Sequence, residues 1–194
     1  MKRIVVFGLF IVALCLTVGV AEGQSRSTSN QGETTNEGPL GGCPCSSGTP
    51  EGEGNCGLPT DTVNGGCNFD PNLFSAISCG QTYCGTVAAE NNLRDTDWYE
   101  LDLPIADNVT ATATIEAPGV LFEVLGVCGG PTLGDNDTGG TCTQLEINFA
   151  GSAGNNYIFV ATSDFNGVPC GAEYTLDVTC ETVPVELEKF QVEK

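Results

Sequence analysis

Thr96-Asp97-Trp98-Tyr99-Glu100-Leu101-Asp102-Leu103 is the stretch that decides the fold. Tyr99, Leu101 and Leu103 are apolar, and Trp98, Glu100 and Asp102 lie between them. A period of two puts one set in a core and the other toward water, the pattern of a half-buried strand. Val109, Ala111, Ala113 and Ile115 alternate with Thr110, Thr112 and Thr114 in the same way. So do Leu145, Ile147 and Phe149 with Glu146 and Asn148, and Tyr174, Leu176 and Val178 with Thr175, Asp177 and Thr179. Residues 120–127 and 157–161 are denser in apolar side chains and read as central strands. Gly, Asn, Asp and Pro separate the runs, and beyond the first 23 residues no segment carries a helical period with caps. The expected fold is all-β: an antiparallel jelly-roll-type sandwich of about eight strands over residues 65–180.

Outward from this region the composition changes. Lys2 and Arg3 precede a nearly continuous apolar run from Ile4 to Val20, and Ala21-Glu22-Gly23 ends it with small residues. That is the pattern of a cleaved signal helix over residues 1–23. Cys15 lacks the small residue before it that a lipoprotein signal needs, so no lipid anchor is expected there. Residues 24–42 are polar, cannot bury a core and read as a disordered linker. Residues 43–64 keep the Gly, Pro and Glu bias but hold three cysteines, and read as an irregular segment tied down by disulfides. Residues 181–194 form a tail or a last edge strand.

Cleavage after Gly23 leaves ten cysteines: 43, 45, 56, 67, 79, 84, 128, 142, 170 and 180. An even number behind a secretion signal predicts disulfides and a secreted chain, extracellular or periplasmic. Cys128 and Cys142 flank a Gly/Pro/Asp stretch read as a loop between two strands, so a Cys128–Cys142 pair is expected. Cys170–Cys180 is not, because residues 173–180 read as one strand, which at about 3.3 Å per residue holds its ends too far apart. Those two cysteines should instead reach back to the first strands or the N-terminal segment, for instance to Cys67 or Cys79. The partners of Cys43, Cys45, Cys56 and Cys84 stay open.

Six Lys and Arg face 25 Asp and Glu, for a formal net charge of −19, and there is no histidine. Nucleic acid and anionic lipid need a basic surface, so neither is an expected partner, and no membrane association is expected after signal cleavage. Without histidine there is no Ser-His-Asp or Cys-His catalysis and no His-bound zinc. The expectation is a non-catalytic module that binds an extracellular protein or glycan. The alternatives are a carbohydrate-binding module and a small carboxylate-dependent hydrolase.

Arg94-Asp95-Thr96-Asp97-Trp98-Tyr99 resembles the signature strand of bacterial pre-peptidase C-terminal domains, where an Asp-x-Asp-aromatic-aromatic stretch opens a central strand. Gly80–Val87 is similar to the strand before it, Asn155–Val160 to a later Tyr-x-hydrophobic strand, and Gly171–Val178 to the closing strand. The resemblance covers residues 67–180. It implies a jelly-roll sandwich and a non-catalytic appendage of secreted enzymes, although no catalytic domain precedes the sandwich here. Val183-Pro184-Val185-Glu186-Leu187-Glu188-Lys189-Phe190 resembles the segment before C-terminal sorting modules of some secreted bacterial proteins.

Candidate site residues follow from carboxylate spacing. Asp135-Asn136-Asp137-Thr138-Gly139-Gly140 partly matches an acidic Ca²⁺ loop, with Glu146 at the twelfth position. Gly139 stands at the fifth position, where the loop wants Asp or Asn, and Asp and Asn beside Gly also serve plain turns. Asp95 and Asp97 are a second Ca²⁺ candidate. The competing reading gives Asp97 to backbone amides at the strand start and pairs Arg94 with one of the two carboxylates. Trp98, the only tryptophan, either stacks on a sugar ring or lies beneath a covering segment.

Overall fold

The computed structural model of the chain describes residues 42–53, 56, 58–126, 128 and 132–181. The expected signal helix, the linker up to residue 41 and the tail from residue 182 lie outside the described residues. Eight long strands carry the fold: β3 (Gln81–Glu90), β5 (Thr96–Leu103), β6 (Asp107–Ile115), β7 (Gly119–Leu125), β8 (Thr132–Gly139), β9 (Gln144–Gly151), β10 (Gly154–Thr162) and β11 (Val168–Glu181). Three short ones complete it: β1 (Thr49–Pro50), β2 (Ser75–Ile77) and β4 (Leu93–Arg94). There is no helix among the described residues.

The strands form two sheets, ordered β1-β3-β11-β6-β9, with β4 on β3, and β2-β5-β10-β7-β8. Every pair of long strands is antiparallel. The short β1–β3 and β2–β5 pairs are parallel, so both sheets are mixed rather than purely antiparallel. β7 and β10 are interior strands, as their apolar density predicts.

Alternation decides which face is buried. Tyr99, Leu101, Leu103, Val109, Ala111, Ala113, Ile115, Leu145, Ile147, Tyr174, Leu176 and Val178 all lie in one core between the sheets. Their polar neighbours face out, and β9 reads exposed-buried along its whole length. A second cluster covers the outer face of the other sheet: Trp98, Val120, Val124, Phe159 and Ala161, with Cys67, Phe74, Phe122 and Tyr157 against them. Trp98 is therefore only 6% exposed. A Cβ on Gly66 would stand 2.1 Å from its indole, so glycine lets the backbone lie on that ring. Trp98 is not the sugar-stacking surface; the 58–74 segment covers it.

Two expectations fail together at β8. The stretch read as an Asp/Gly loop is an extended strand paired to β7. The strand stands because its aspartates find distant donors. Asp135 accepts from the Asn148 amide at 2.8 Å and Asp137 from the Glu146 amide at 3.0 Å. These amides belong to β9, the edge of the opposite sheet, and an edge strand with capped amides resists pairing with another chain. An eight-residue strand spans roughly 25 Å, so the cysteines at its two ends cannot meet. Cys128 instead bonds Cys67, and Cys142 bonds Cys43. The remaining disulfides are Cys45–Cys84, Cys56–Cys170 and Cys79–Cys180. Cys170 and Cys180 both lie in β11 and reach back in the sequence, as expected, with Cys180 taking Cys79.

Candidate metal centre

The 45–64 segment is irregular because Gly and Pro dominate it, yet it is held at both ends. The Cys45–Cys84 and Cys56–Cys170 disulfides bracket residues 45–56, and the far end is held where the Asn64 carbonyl accepts the Trp98 amide. β1 pairs with Tyr83 and Cys84, and the Glu51 amide donates to the Cys84 carbonyl at 2.9 Å. Glu51 and Glu53 are thereby fixed against the sandwich. Glu51 accepts from the Thr86 amide (2.7 Å) and hydroxyl (3.0 Å), and from the Tyr174 hydroxyl (3.1 Å). Tyr174 in turn hydrogen-bonds Tyr99. Gly85 makes the arrangement possible: a Cβ there would lie 2.3 Å from the Tyr174 hydroxyl and 2.4 Å from Glu51 Oε2.

Further along, Asp61 closes a turn by accepting the Val63 and Asn64 amides on Oδ1, which leaves Oδ2 without a partner. The Asn64 carbonyl accepts the Trp98 amide at 2.8 Å, laying this turn along the start of β5. Asp95 and Asp97 come from that same strand start. Asp97 shares the inward phase of Tyr99, so its carboxylate sits at the end of the core.

Five carboxylates thus converge. Ligand oxygens of Glu51, Glu53 and Asp97 lie within 4.8 Å of one another, as do those of Glu53, Asp61 and Asp95. Asp95 is 1% exposed and Asp97 is 0% exposed. No oxygen of Glu53, Asp95 or Asp97 has a hydrogen-bond partner, and neither side-chain polar atom of the fully buried Asn64 has one. Arg94 does not pair with its neighbour Asp95 or with Asp97; its Nη1 donates to the Thr162 carbonyl instead. The reading that gave Asp97 to backbone amides also fails, since both its oxygens are unpartnered.

A cluster of bare carboxylates is costly. At about 4.8 Å and an effective dielectric of about 20, each ionised pair repels by roughly 3–4 kcal/mol. The pKa values record this. Burial first, then the charge of Asp95, pushes Glu53 up to about 9. Burial, then the charge of Glu51, pushes Asp95 up to about 8. Asp97 rises well above the usual carboxylate range for the same two reasons, burial and the Asp95 charge, and burial raises Glu51. Such a group either holds protons or holds a cation. The donors are all oxygen, every described cysteine is in a disulfide, and histidine is missing from the chain. That set suits a hard cation, Ca²⁺ before Mg²⁺, because Ca²⁺ accepts many carboxylate ligands in irregular geometry. Glu53 belongs to both groups, so it can bridge two ions. A cavity of about 250 Å³ bordered by Glu51, Gly52, Glu53 and Thr86 gives solvent access.

Of the sequence candidates, Asp95 and Asp97 are in this cluster. Asp135, Asp137 and Glu146 do not converge: the two aspartates hold β9 amides, and Glu146 Oε1 accepts from Asn148 Nδ2 at 2.9 Å. Sequence reading missed Glu51, Glu53, Asp61 and Asn64. The available signal was a Glu-x-Glu between Cys45 and Cys56 matching the Asp-x-Asp at β5.

No protein-family profile matches the chain, and no curated protein matches it in sequence. Among solved structures, it is similar to the pre-peptidase C-terminal domain of a collagenase from Bacillus anthracis. That match has 20% identity and a TM-score of 0.43, over 54% of this chain and 93% of that one. CsCBM6-3 from Clostridium stercorarium, solved in complex with cellobiose, matches at 16% identity and a TM-score of 0.29. It spans 49% of this chain and 72% of that one.

Proposed function

We propose that the chain is a secreted, non-catalytic β-sandwich binding module whose N-terminal segment is locked onto the sandwich by two Ca²⁺ ions. One observation carries the cation reading: the unpartnered, fully buried carboxylate of Asp97, facing two glutamates from a disulfide-bracketed segment. Glu51, Glu53 and Asp97 would hold one ion, and Glu53, Asp61 and Asp95 the other. Backbone carbonyls and water would complete each shell. Two divalent ions supply four positive charges against five carboxylates, which removes most of the repulsion. Five disulfides support an oxidising compartment.

Hydrolysis fits the cluster less well. Asp95 and Asp97 are sealed from solvent, so a substrate could not reach them. The ions act instead on stability and order, presenting the module to an extracellular protein or glycan.

Terbium tests the site. Tb³⁺ replaces Ca²⁺ at oxygen sites and is sensitised by nearby tyrosine, and Tyr174 bonds Glu51 directly. Excitation of the aromatic residues should give Tb³⁺ emission that excess Ca²⁺ quenches. Glu51→Gln should remove the part of that emission that comes from the ion beside Tyr174. Emission undiminished in both Glu51→Gln and Asp97→Asn would place the ion elsewhere and overturn the reading.

A further inference from the structure

Arg94 is the only Lys or Arg among the described residues of this acidic chain, and it stands in the larger cavity rather than on a free surface. The cavity holds about 520 Å³, within the range of small-ligand sites. The guanidinium lies 4.6 Å from the Phe165 ring centroid and 5.6 Å from that of Phe159. Both contacts are cation–π geometry. Nη1 donates to the Thr162 carbonyl at 2.8 Å, and no carboxylate of the described residues forms an ion pair with the group. A guanidinium has five N–H donors, so most of its edge remains for a ligand. The buried indole N–H of Trp98, which also lines the cavity, has no partner.

The rest of the wall is mixed. Leu58 and Phe165 are apolar, Phe165 being half exposed at 51%, while Asn68 and Thr96 offer amide and hydroxyl groups. One fixed positive charge, ringed by aromatic groups in a strongly negative protein, matches a single negative charge. A doubly charged phosphate would meet the field of the acids with only one cation to hold it. A carboxylate takes guanidinium edge donors in pairs. The apolar faces beside amide and hydroxyl groups match a ring with C–H faces and hydroxyls.

The geometry points to a binding site for a single uronic acid residue of an otherwise neutral glycan, its carboxylate on Arg94 and its ring between Phe165 and Leu58. The site is separate from the carboxylate cluster, although Asp61 borders both.

Trp98 is the only tryptophan and lines the cavity, so its emission reports on a ligand bound there. The probe is a glucuronate-containing oligosaccharide, titrated in Ca²⁺ buffer and again in EDTA. The two buffers separate failure here from failure of the metal centre. The expected result is a saturable change in emission, with the carboxyl methyl ester of the same oligosaccharide bound about tenfold or more weakly. Arg94→Gln should weaken the acid form by a similar factor and leave the ester unchanged. Phe165→Ser, at an exposed position, should weaken it about threefold or more without altering the melting curve. Equal affinity for acid and ester, or no saturable change, would overturn the proposal. So would tighter binding of a peptide with a free C-terminal carboxylate, which would assign the pocket to a protein partner.

Discussion

Saturating Ca²⁺ raises the melting midpoint of the chelator-treated protein by roughly 15 °C. Each site filled to a hundred times its Kd contributes about 2.7 kcal/mol, so two contribute about 5 kcal/mol, and each kcal/mol moves Tm by a few degrees in a domain of this size. The size of the effect rests on the linkage itself. The 45–64 segment carries Glu51, Glu53 and Asp61, while β5 carries Asp95 and Asp97, so the ions tie the segment to the central strand. Asp97→Asn should remove about half of the rise, the share of the ion it holds with Glu51 and Glu53. In EDTA the same variant should melt no lower than the parent, because burial already keeps metal-free Asp97 protonated and a neutral amide replaces a neutral carboxyl. That inversion separates a ligand from a structural residue, whose loss would lower both curves. Asp102→Asn, an exposed position on the same strand, should leave the Ca²⁺ effect intact. Differential scanning calorimetry with and without Ca²⁺ checks all three. A Ca²⁺ effect retained in full by Asp97→Asn would remove Asp97 from the site.

The second large effect is a reversal of the pH dependence. Without metal, Glu53 keeps its proton to about pH 9 and Asp95 to about pH 8, whereas both lose it near pH 4 in the unfolded chain. Between those limits the folded state binds more protons than the unfolded one, so stability falls as pH rises. It is fully present below about pH 4, declines through the neutral range, and levels off above about pH 9. Each retained proton sets a slope on the order of 1.4 kcal/mol per pH unit. With Ca²⁺ bound the carboxylates are ionised in the fold. Protons then compete with the ion, and the Ca²⁺ contribution is present at neutral pH and lost on acidification. The two curves of midpoint against pH should slope in opposite directions and converge in acid. Urea midpoints from pH 4 to 9, with Ca²⁺ and with EDTA, measure this. Parallel curves would mean that the cluster is not where the ion binds.

How much of this was legible in the sequence follows from the range over which each cause acts. The alternation at β5, β6, β9 and β11 is local, because side-chain direction depends only on the pleat, and it placed those strands and their buried faces. That Cys180 reaches back toward the first strands also followed, since an extended β11 excludes a local bridge; which cysteine it takes there did not. β8 was not legible. Its Gly, Asp and Asn residues have turn chemistry, and it becomes a strand only because Asp135 and Asp137 meet β9 amides on the opposite sheet. That contact reversed both the Ca²⁺ loop and the Cys128–Cys142 pair.

Two of the five carboxylates in the cluster were visible for the same reason. Asp95 and Asp97 sit at a readable strand start. Glu51 and Glu53 lie in a Gly/Pro stretch whose position is set by disulfides to β3 and β11, and pairings among ten cysteines are not encoded locally. Trp98 shows the converse. Its phase on β5 is outward, as read, but the 58–74 segment buries that face.

The central claim is that ionised carboxylates from two parts of the chain hold cations together. Isothermal titration of the metal-free protein with Ca²⁺ at pH 7, repeated in buffers of different ionisation enthalpy, tests it most directly. It reports both the number of ions and the protons they displace. The account predicts two Ca²⁺ per chain, with net proton release from Glu53 and the buried aspartates, falling to one Ca²⁺ with less proton release in Asp97→Asn. Binding without proton release, or unchanged binding in Asp97→Asn, would contradict it.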